Sequence, residues 1–307
     1  MSEKAYYKRP VIIKRELTGI CWRARNTYTL TTSAVWASSA AAELNGEGMV
    51  RIFTAGITLA VAMSASVLVI GTAQAKDVDP HTSLLCKSYQ HIKVTRDGIQ
   101  YVVRNDNYGH VRECLRNRGG SPNFAVVASG ARVAHYEPVA FPDIFVGCSW
   151  GVCSRHSGLP LRVDRIRSLV TTWHTTMKST GTWSAGYDIW FDRKPRKTGQ
   201  SGGAELMIWL NARGFNASGW PVVTVDGARW YLEHWIASGQ GKHWNYIQFH
   251  RVTGTTQVTN LRVAPFIAVA ERVGLIKRHW WLTSVIAGFE IWRGGVGLGT
   301  TQFMVRV

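Results

Sequence analysis

The stretch "AELMIWLN" (204–211) decides how the chain is read. Side chains alternate faces along a strand. Glu205, Met207 and Trp209 therefore share one face, and Leu206, Ile208 and Leu210 share the other. The aliphatic set suits a core between two sheets. The other set offers a carboxylate and an indole to an open surface, because a buried, unpaired carboxylate is costly. Two further segments repeat the pattern. In "AGYDIWFD" (185–192), Gly186, Asp188, Trp190 and Asp192 oppose Tyr187, Ile189 and Phe191; in "GFEIW" (288–292), Gly288, Glu290 and Trp292 oppose Phe289 and Ile291. Three strands with an acid and a Trp on one face predict one concave surface. Flat aromatic rings and paired carboxylates suit a sugar polymer and acid/base chemistry.

Working outward, the strand pattern continues at 99–106, 124–130, 184–192, 228–237, 244–252, 281–292 and 300–307, with Gly, Pro or Asn turns between. Only "APFIAVAERVGLI" (264–276) has helical spacing, at Phe266, Ala270 and Val273, with Gly274 near its end. One helix among many strands predicts an all-β fold, a β-sandwich or jelly roll. No linker or internal repeat divides residues 76–307, which read as one domain.

The bulk properties agree. The 307 residues are 46% hydrophobic and 18% charged, a globular composition, with fourteen Trp. Net charge is +17, and residues 76–307 keep +13 of it. The basic residues are scattered and form no long block, so the charge reads as a surface property and no nucleic-acid partner is expected.

At the amino end, Arg51 precedes an uncharged run from Ile52 to Ile70, and Ala73-Gln74-Ala75 supplies a small-x-small site before Lys76. The run is just long enough to span a bilayer. It is diluted with Thr, Ser and Gly, however, and ends in the small-residue site, so residues 49–75 read as a secretory signal peptide. Residues 1–48 then read as an over-extended, disordered amino terminus, with Met49 the true start. The expected product is secreted, monomeric and without stable membrane association after cleavage.

Cys21 lies in that leader. Cys86, Cys114, Cys148 and Cys153 form an even set, which in a secreted chain reads as two disulfides. Cys148 and Cys153 enclose a short loop, and Cys86 with Cys114 would tie the first strand region together, but four Cys allow three connectivities. Their spacings are not those of a zinc ribbon or finger. The ten His show no ligand spacing, so neither metal nor cofactor is expected.

Several of these segments, in order, resemble glycoside hydrolase family 12, the compact secreted endoglucanases. "ELMIW" (205–209) is similar to that family's E-[IL]-M-I-W strand, and "AGFEIWRGGVGLG" (287–299) to its A-G-F-E-P-W…G-G-x-G-L. "YDIW" (187–190), "WNYIQF" (244–249), "GCSWGVCS" (147–154) and "SGLPLRV" (157–163) also match. The paired Cys positions agree with its bacterial members. The resemblance implies a concanavalin-like β-jelly roll of two curved antiparallel sheets and retaining hydrolysis of internal β-1,4-glucosidic bonds. It makes Glu205 the nucleophile, Glu290 the general acid/base and Asp188 the supporting carboxylate, with Met207 under the reacting sugar. Asn105, Tyr108, Trp150, Trp209 and Trp292 become candidate substrate contacts or stacking platforms. Departures are Asp106 for Asn and Tyr108 for Trp in "NDNYG" (105–109), and Ile291 for Pro. They bear on the strength and range of sugar binding.

Retaining chemistry asks for two carboxyls about 5–5.5 Å apart, which neighbouring antiparallel strands can supply. On that arrangement Glu205 faces Glu290 across a cleft, and Glu290 is the acid whose pKa is raised. The alternatives are a xyloglucan or mixed-linkage β-glucan hydrolase, and a weakly catalytic carbohydrate-binding protein on the same fold.

Overall fold

A computed structural model describes residues 82–134, 137–178 and 180–307. The expected signal peptide, the residues before it and Cys21 lie outside the described residues. In chain order the strands are β1 (Thr82–Leu85), β2 (His91–Arg96), β3 (Ile99–Arg104), β4 (Glu113–Arg118), β5 (Phe124–Ser129), β6 (Ala131–Arg132), β7 (Asp143–Ser149), β8 (Val152–Cys153) and β9 (Leu161–Arg162). They continue with β10 (Val170–Thr176), β11 (Thr182–Asp192), β12 (Ala204–Arg213), β13 (Val222–Val225), β14 (Ala228–Gly239), β15 (Lys242–Arg251) and β16 (Gln257–Arg262). Helix α1 (Ala264–Arg272), β17 (Trp281–Gly294) and β18 (Gly299–Arg306) complete the chain.

The strands form two sheets, the all-β jelly-roll sandwich that the alternation predicts. The smaller runs β1-β4-β5-β18-β10-β16, and the path of the larger runs β13-β14-β15-β12-β11-β17-β7-β3-β2. Pairing is antiparallel except between β12 and β15, which run parallel. The hairpin of β13 and β14 intervenes in sequence, so β15 returns beside β12 in the same direction.

Between the sheets lies one continuous core. Leu206, Ile208 and Leu210 enter it from β12, Tyr187, Ile189 and Phe191 from β11, and Phe289 and Ile291 from β17. They meet Leu115, Val126, Phe303 and Val305 of the smaller sheet. Trp173 sits at its centre, edge-on to Tyr187, with its indole N–H donated to Thr300 Oγ1. That donor bond is what lets so large a polar-tipped ring be fully buried.

Helix α1 buries Phe266, Ile267 and Ala270. It ends two residues before the left-handed Gly274, whose N–H returns to the Glu271 carbonyl. Val273, expected on the apolar stripe, is exposed because the helix has already unwound there. The four cysteines form Cys86–Cys114 and Cys148–Cys153, which chooses among the three connectivities.

Candidate active site

The face of the larger sheet turned away from the core carries the acids, and β11 is its axis. Ser184, Gly186, Asp188 and Trp190 alternate onto this face. On one side they lie opposite Trp209 (from Gly186), Met207 (from Asp188) and Glu205 (from Trp190) of β12. On the other side Ser184, Gly186, Asp188 and Trp190 lie opposite Glu290, Gly288, Ile286 and Ser284 of β17. Glu205 and Glu290 are thus not on adjacent strands, as the spacing argument supposed. They flank β11, and Asp188 stands between them.

Glycine makes room for the grouping. A Cβ on Gly186 would come within 2.7 Å of Trp209 Cδ1, and one on Gly288 within 2.7 Å of the Pro142 carbonyl oxygen. Both distances are shorter than real Cβ contacts, so these two positions hold glycine to let the neighbouring groups close in.

Each acid has its own donor. The Trp244 indole N–H donates to Glu205 Oε2 at 2.6 Å. The Trp190 indole N–H donates to Asp188 Oδ2 at 2.8 Å, and the Ser184 hydroxyl donates to Glu290 Oε2 at 2.7 Å. Trp190 and Trp244 also pack together, ring centroids 5.6 Å apart. Asp188 Oδ1 is buried without a hydrogen-bond partner among the described residues. The Trp209 indole N–H lacks a well-aligned acceptor, yet its nearness to Glu290 favours that carboxylate.

All three acids are pushed up. Burial raises Glu290 to about 7, with the Asp188 charge adding to it and Ser184 and Trp209 opposing. Asp188 reaches about 7 through burial, opposed by the Trp190 N–H and by the charge of Arg104. Glu205 rises well above the usual carboxylate range through burial, then the charge of Asp188, with Glu290 adding further; Trp244 opposes the rise. The expectation that Glu290 alone is raised is therefore corrected. Glu205 is only 5% exposed and sits among Met207, Trp209 and Trp244, so the cost of desolvation falls on it too.

The remaining candidates divide. Trp150 is 53% and Tyr108 37% exposed. The Tyr108 phenol is raised well above its usual range by burial and then by the Glu290 charge, although more than a third of the residue is open to solvent. Met207, Trp209 and Trp292 are buried in one aromatic cluster. Trp209 meets Trp292 edge-on at 6.4 Å, and Phe215 wedges against both. These two rings form a packed wall, not open stacking platforms. Asn105 is corrected as a substrate contact: it is 0% exposed, and its amide donates to the carbonyls of Leu85, Lys87 and Glu113. Asp192 stays on the acid side of β11, since Phe191 before it enters the core, but it lies at the strand's end beyond the grouped acids. There it accepts from Arg196 and from the backbone N–H groups of Lys194 and Gly202, fixing the β11–β12 turn.

Sequence reasoning missed Ser184, Trp244 and Arg104. Trp244 opens the "WNYIQF" motif, which was the available signal. Arg104 is buried on the same face, paired with Asp143 and with Asp106 at 2.8 Å, and stacked over Phe145 at 5.1 Å. No period or spacing in the sequence marks it.

The model of Glycosyl hydrolase family 12 matches residues 101–307. The chain is 34% identical over 155 residues to a probable cellulase Cel12b of Mycobacterium tuberculosis, covering 49% of this chain and 98% of that relative. Among solved structures, a metagenome-derived glycoside hydrolase family 12 endoglucanase aligns with a TM-score of 0.67 at 38% identity, covering 73% of this chain and 97% of that one. Endoglucanase cel12A from Rhodothermus marinus aligns with a TM-score of 0.64 at 35% identity and the same coverage of both chains.

Proposed function

The chain belongs to glycosyl hydrolase family 12, and from that premise we propose that it is a secreted retaining endo-β-1,4-glucanase whose chemistry is carried by Glu205, Glu290 and Asp188. The observation that carries this reading is the grouping itself. Three carboxyls share one sheet face around Gly186, each held by a different donor, and the Asp188 charge acts on both glutamates.

Glu290, with a pKa of about 7, keeps its proton in mildly acidic water and gives it to the leaving glycosidic oxygen. Glu205 attacks the anomeric carbon as that C–O bond breaks, forming the glycosyl-enzyme. Glu290, now ionised, takes a proton from water as the water displaces Glu205. Glu205 must therefore be charged although its surroundings oppose charge. Asp188 resolves the conflict by holding a proton for the pair. Its Oδ1 has no donor, so it is the oxygen that can carry one, and a neutral Asp188 stops raising Glu205. The Trp244 N–H then supports the nucleophile's negative charge.

Secretion is supported by the two disulfides, which persist in oxidising surroundings. Residues 76–307 form the catalytic domain. The test is hydrolysis of soluble β-glucan by Glu205→Gln and Glu290→Gln, with the anomeric configuration of wild-type product read by NMR. Each variant should lose roughly 100-fold or more of the rate while remaining folded, and the product should retain the β configuration. Near-normal turnover by Glu205→Gln, or an inverted product, would overturn the assignment.

A further inference from the structure

Past Trp190 the acid face runs into a cleft between two loops. One is the disulfide-closed turn of residues 148–153, and the other is the β11–β12 connection of residues 193–203. Trp150, Trp190, Arg196, Lys197, Gln200 and Ser284 line it. Trp190 and Ser284 are opposite each other on β11 and β17, and Trp190 is also opposite Glu205, so the cleft continues the row that holds the acids.

Both loops are built to stay put. The Gly151 N–H donates to the Lys197 carbonyl, joining one loop to the other. Arg196 is tied to Asp192 at 2.6 Å and to the Thr198 carbonyl. Trp150 is held at φ 49, a left-handed conformation that a bulky residue adopts only under constraint, and its indole stands half in solvent. Charge is concentrated on the second loop. Arg193, Lys194, Arg196 and Lys197 fall within five residues, and Asp192 is committed to Arg196. Lys197 is exposed and has no ion pair among the described residues.

We propose that this cleft is a subsite for a glucan bearing carboxylate substituents: Trp150 covers a sugar ring, and Lys197 meets the carboxylate attached to it. The inference rests on the glucanase reading and deepens it. An aromatic ring stacks on a neutral and a substituted sugar alike, so Trp150 sets contact while Lys197 sets preference. It also gives a use to a basic surface that hydrolysis of a neutral glucan does not require.

The experiment compares carboxymethylated with hydroxyethylated β-1,4-glucan, for the wild type, Lys197→Glu and Arg116→Glu. Arg116 lies on the exposed side of β4 in the other sheet and matches the change in net charge. Lys197→Glu should raise the ratio of the two KM values (charged over neutral) by about fivefold or more, the ~1 kcal/mol of an exposed ion pair expressed as a ratio. Arg116→Glu should leave the ratio unmoved, and 0.5 M NaCl should erase the effect of Lys197→Glu. A ratio unchanged by Lys197→Glu, or shifted equally by Arg116→Glu, would overturn the proposal. Retardation of the Glu205→Gln protein in gels containing either polymer, with and without Lys197→Glu, reads the same preference without turnover. A wild type inactive on both polymers would therefore refute the glucanase reading while the gels still decide this one.

Discussion

Trp244→Phe isolates the hydrogen bond on which the proposed nucleophile depends. The substitution keeps an aromatic ring against Trp190 and deletes the N–H that reaches Glu205 Oε2 at 2.6 Å. A hydrogen bond to a charged group is worth ~1.5–3 kcal/mol, and a pKa unit corresponds to ~1.4 kcal/mol. Losing the bond should raise Glu205 further, because the Trp244 N–H favours the charged carboxylate. The proposed role needs Glu205 ionised, so the acidic limb of the kcat/KM profile moves to higher pH. The alkaline limb, set by Glu290 near 7, stays in place. The bell narrows, and its maximum falls as the limbs converge. Trp235→Phe is the control, because Trp235 packs on the Tyr246 ring at 4.0 Å in the same cluster. The assay is the pH dependence of initial rates on soluble β-glucan. A uniform loss of rate with an unmoved acidic limb would refute the reasoning and reduce Trp244 to packing.

The remaining predictions concern the frame around the site. Glu113 is buried, neither carboxyl oxygen has a hydrogen-bond partner among the described residues, and burial first and then the Asp106 charge raise it to about 8. The folded state therefore holds a proton that the unfolded state gives up above about pH 4–5. Stability from this group is full below that pH and is lost as pH rises towards 8. Glu113→Gln should flatten the fall, raising Tm at pH 8 more than at pH 5; an equal shift at both would contradict it. Gly186→Ala should cost about 1–3 kcal/mol in denaturant unfolding by pushing on Trp209, with a change in Trp fluorescence that the conservative core substitution Ile189→Val does not produce. Cys86–Cys114 spans 28 residues and Cys148–Cys153 spans 5. The loop-entropy difference makes Ser replacement of the first pair about 1.5 kcal/mol more destabilising. Equal losses in urea melts would show that native-state contacts, not chain entropy, dominate.

Period-2 alternation carried most of the fold because most strands have one face in the core. Where it failed, the failures have causes. β7 is buried along nearly its whole length, so "DIFVGCS" does not alternate. In β4 the inward set is Glu113, Leu115 and Asn117, only one of them apolar. "VTTWHTT" of β10 is rich in polar residues, with Thr171 bonded to Tyr187 and Trp173 to Thr300. Asn105 shows the limit of a motif: it follows the last residue of β3, where alternation no longer tells which way a side chain turns.

The alternation also put Glu205, Asp188 and Glu290 on one face, but a face is not a distance. Strand order comes from long-range pairing, and it inserts β11 between the two glutamates. That insertion changes the chemistry. Two glutamates on adjacent strands would repel directly, and one would simply keep the proton. With Asp188 between them, a third carboxyl can take the proton that lets Glu205 ionise while Glu290 stays neutral. Arg104 bears on the same balance, because its buried charge lowers Asp188 and so opposes the protonation that Glu205 needs. Arg104 is already shared by Asp106 and Asp143, whose carboxylates fix its guanidinium beside the acids. The charge state of this site is therefore set by six side chains on five strands and the turn after β3. The acids alone, in sequence or in space, do not set the pH at which the proposed roles would work.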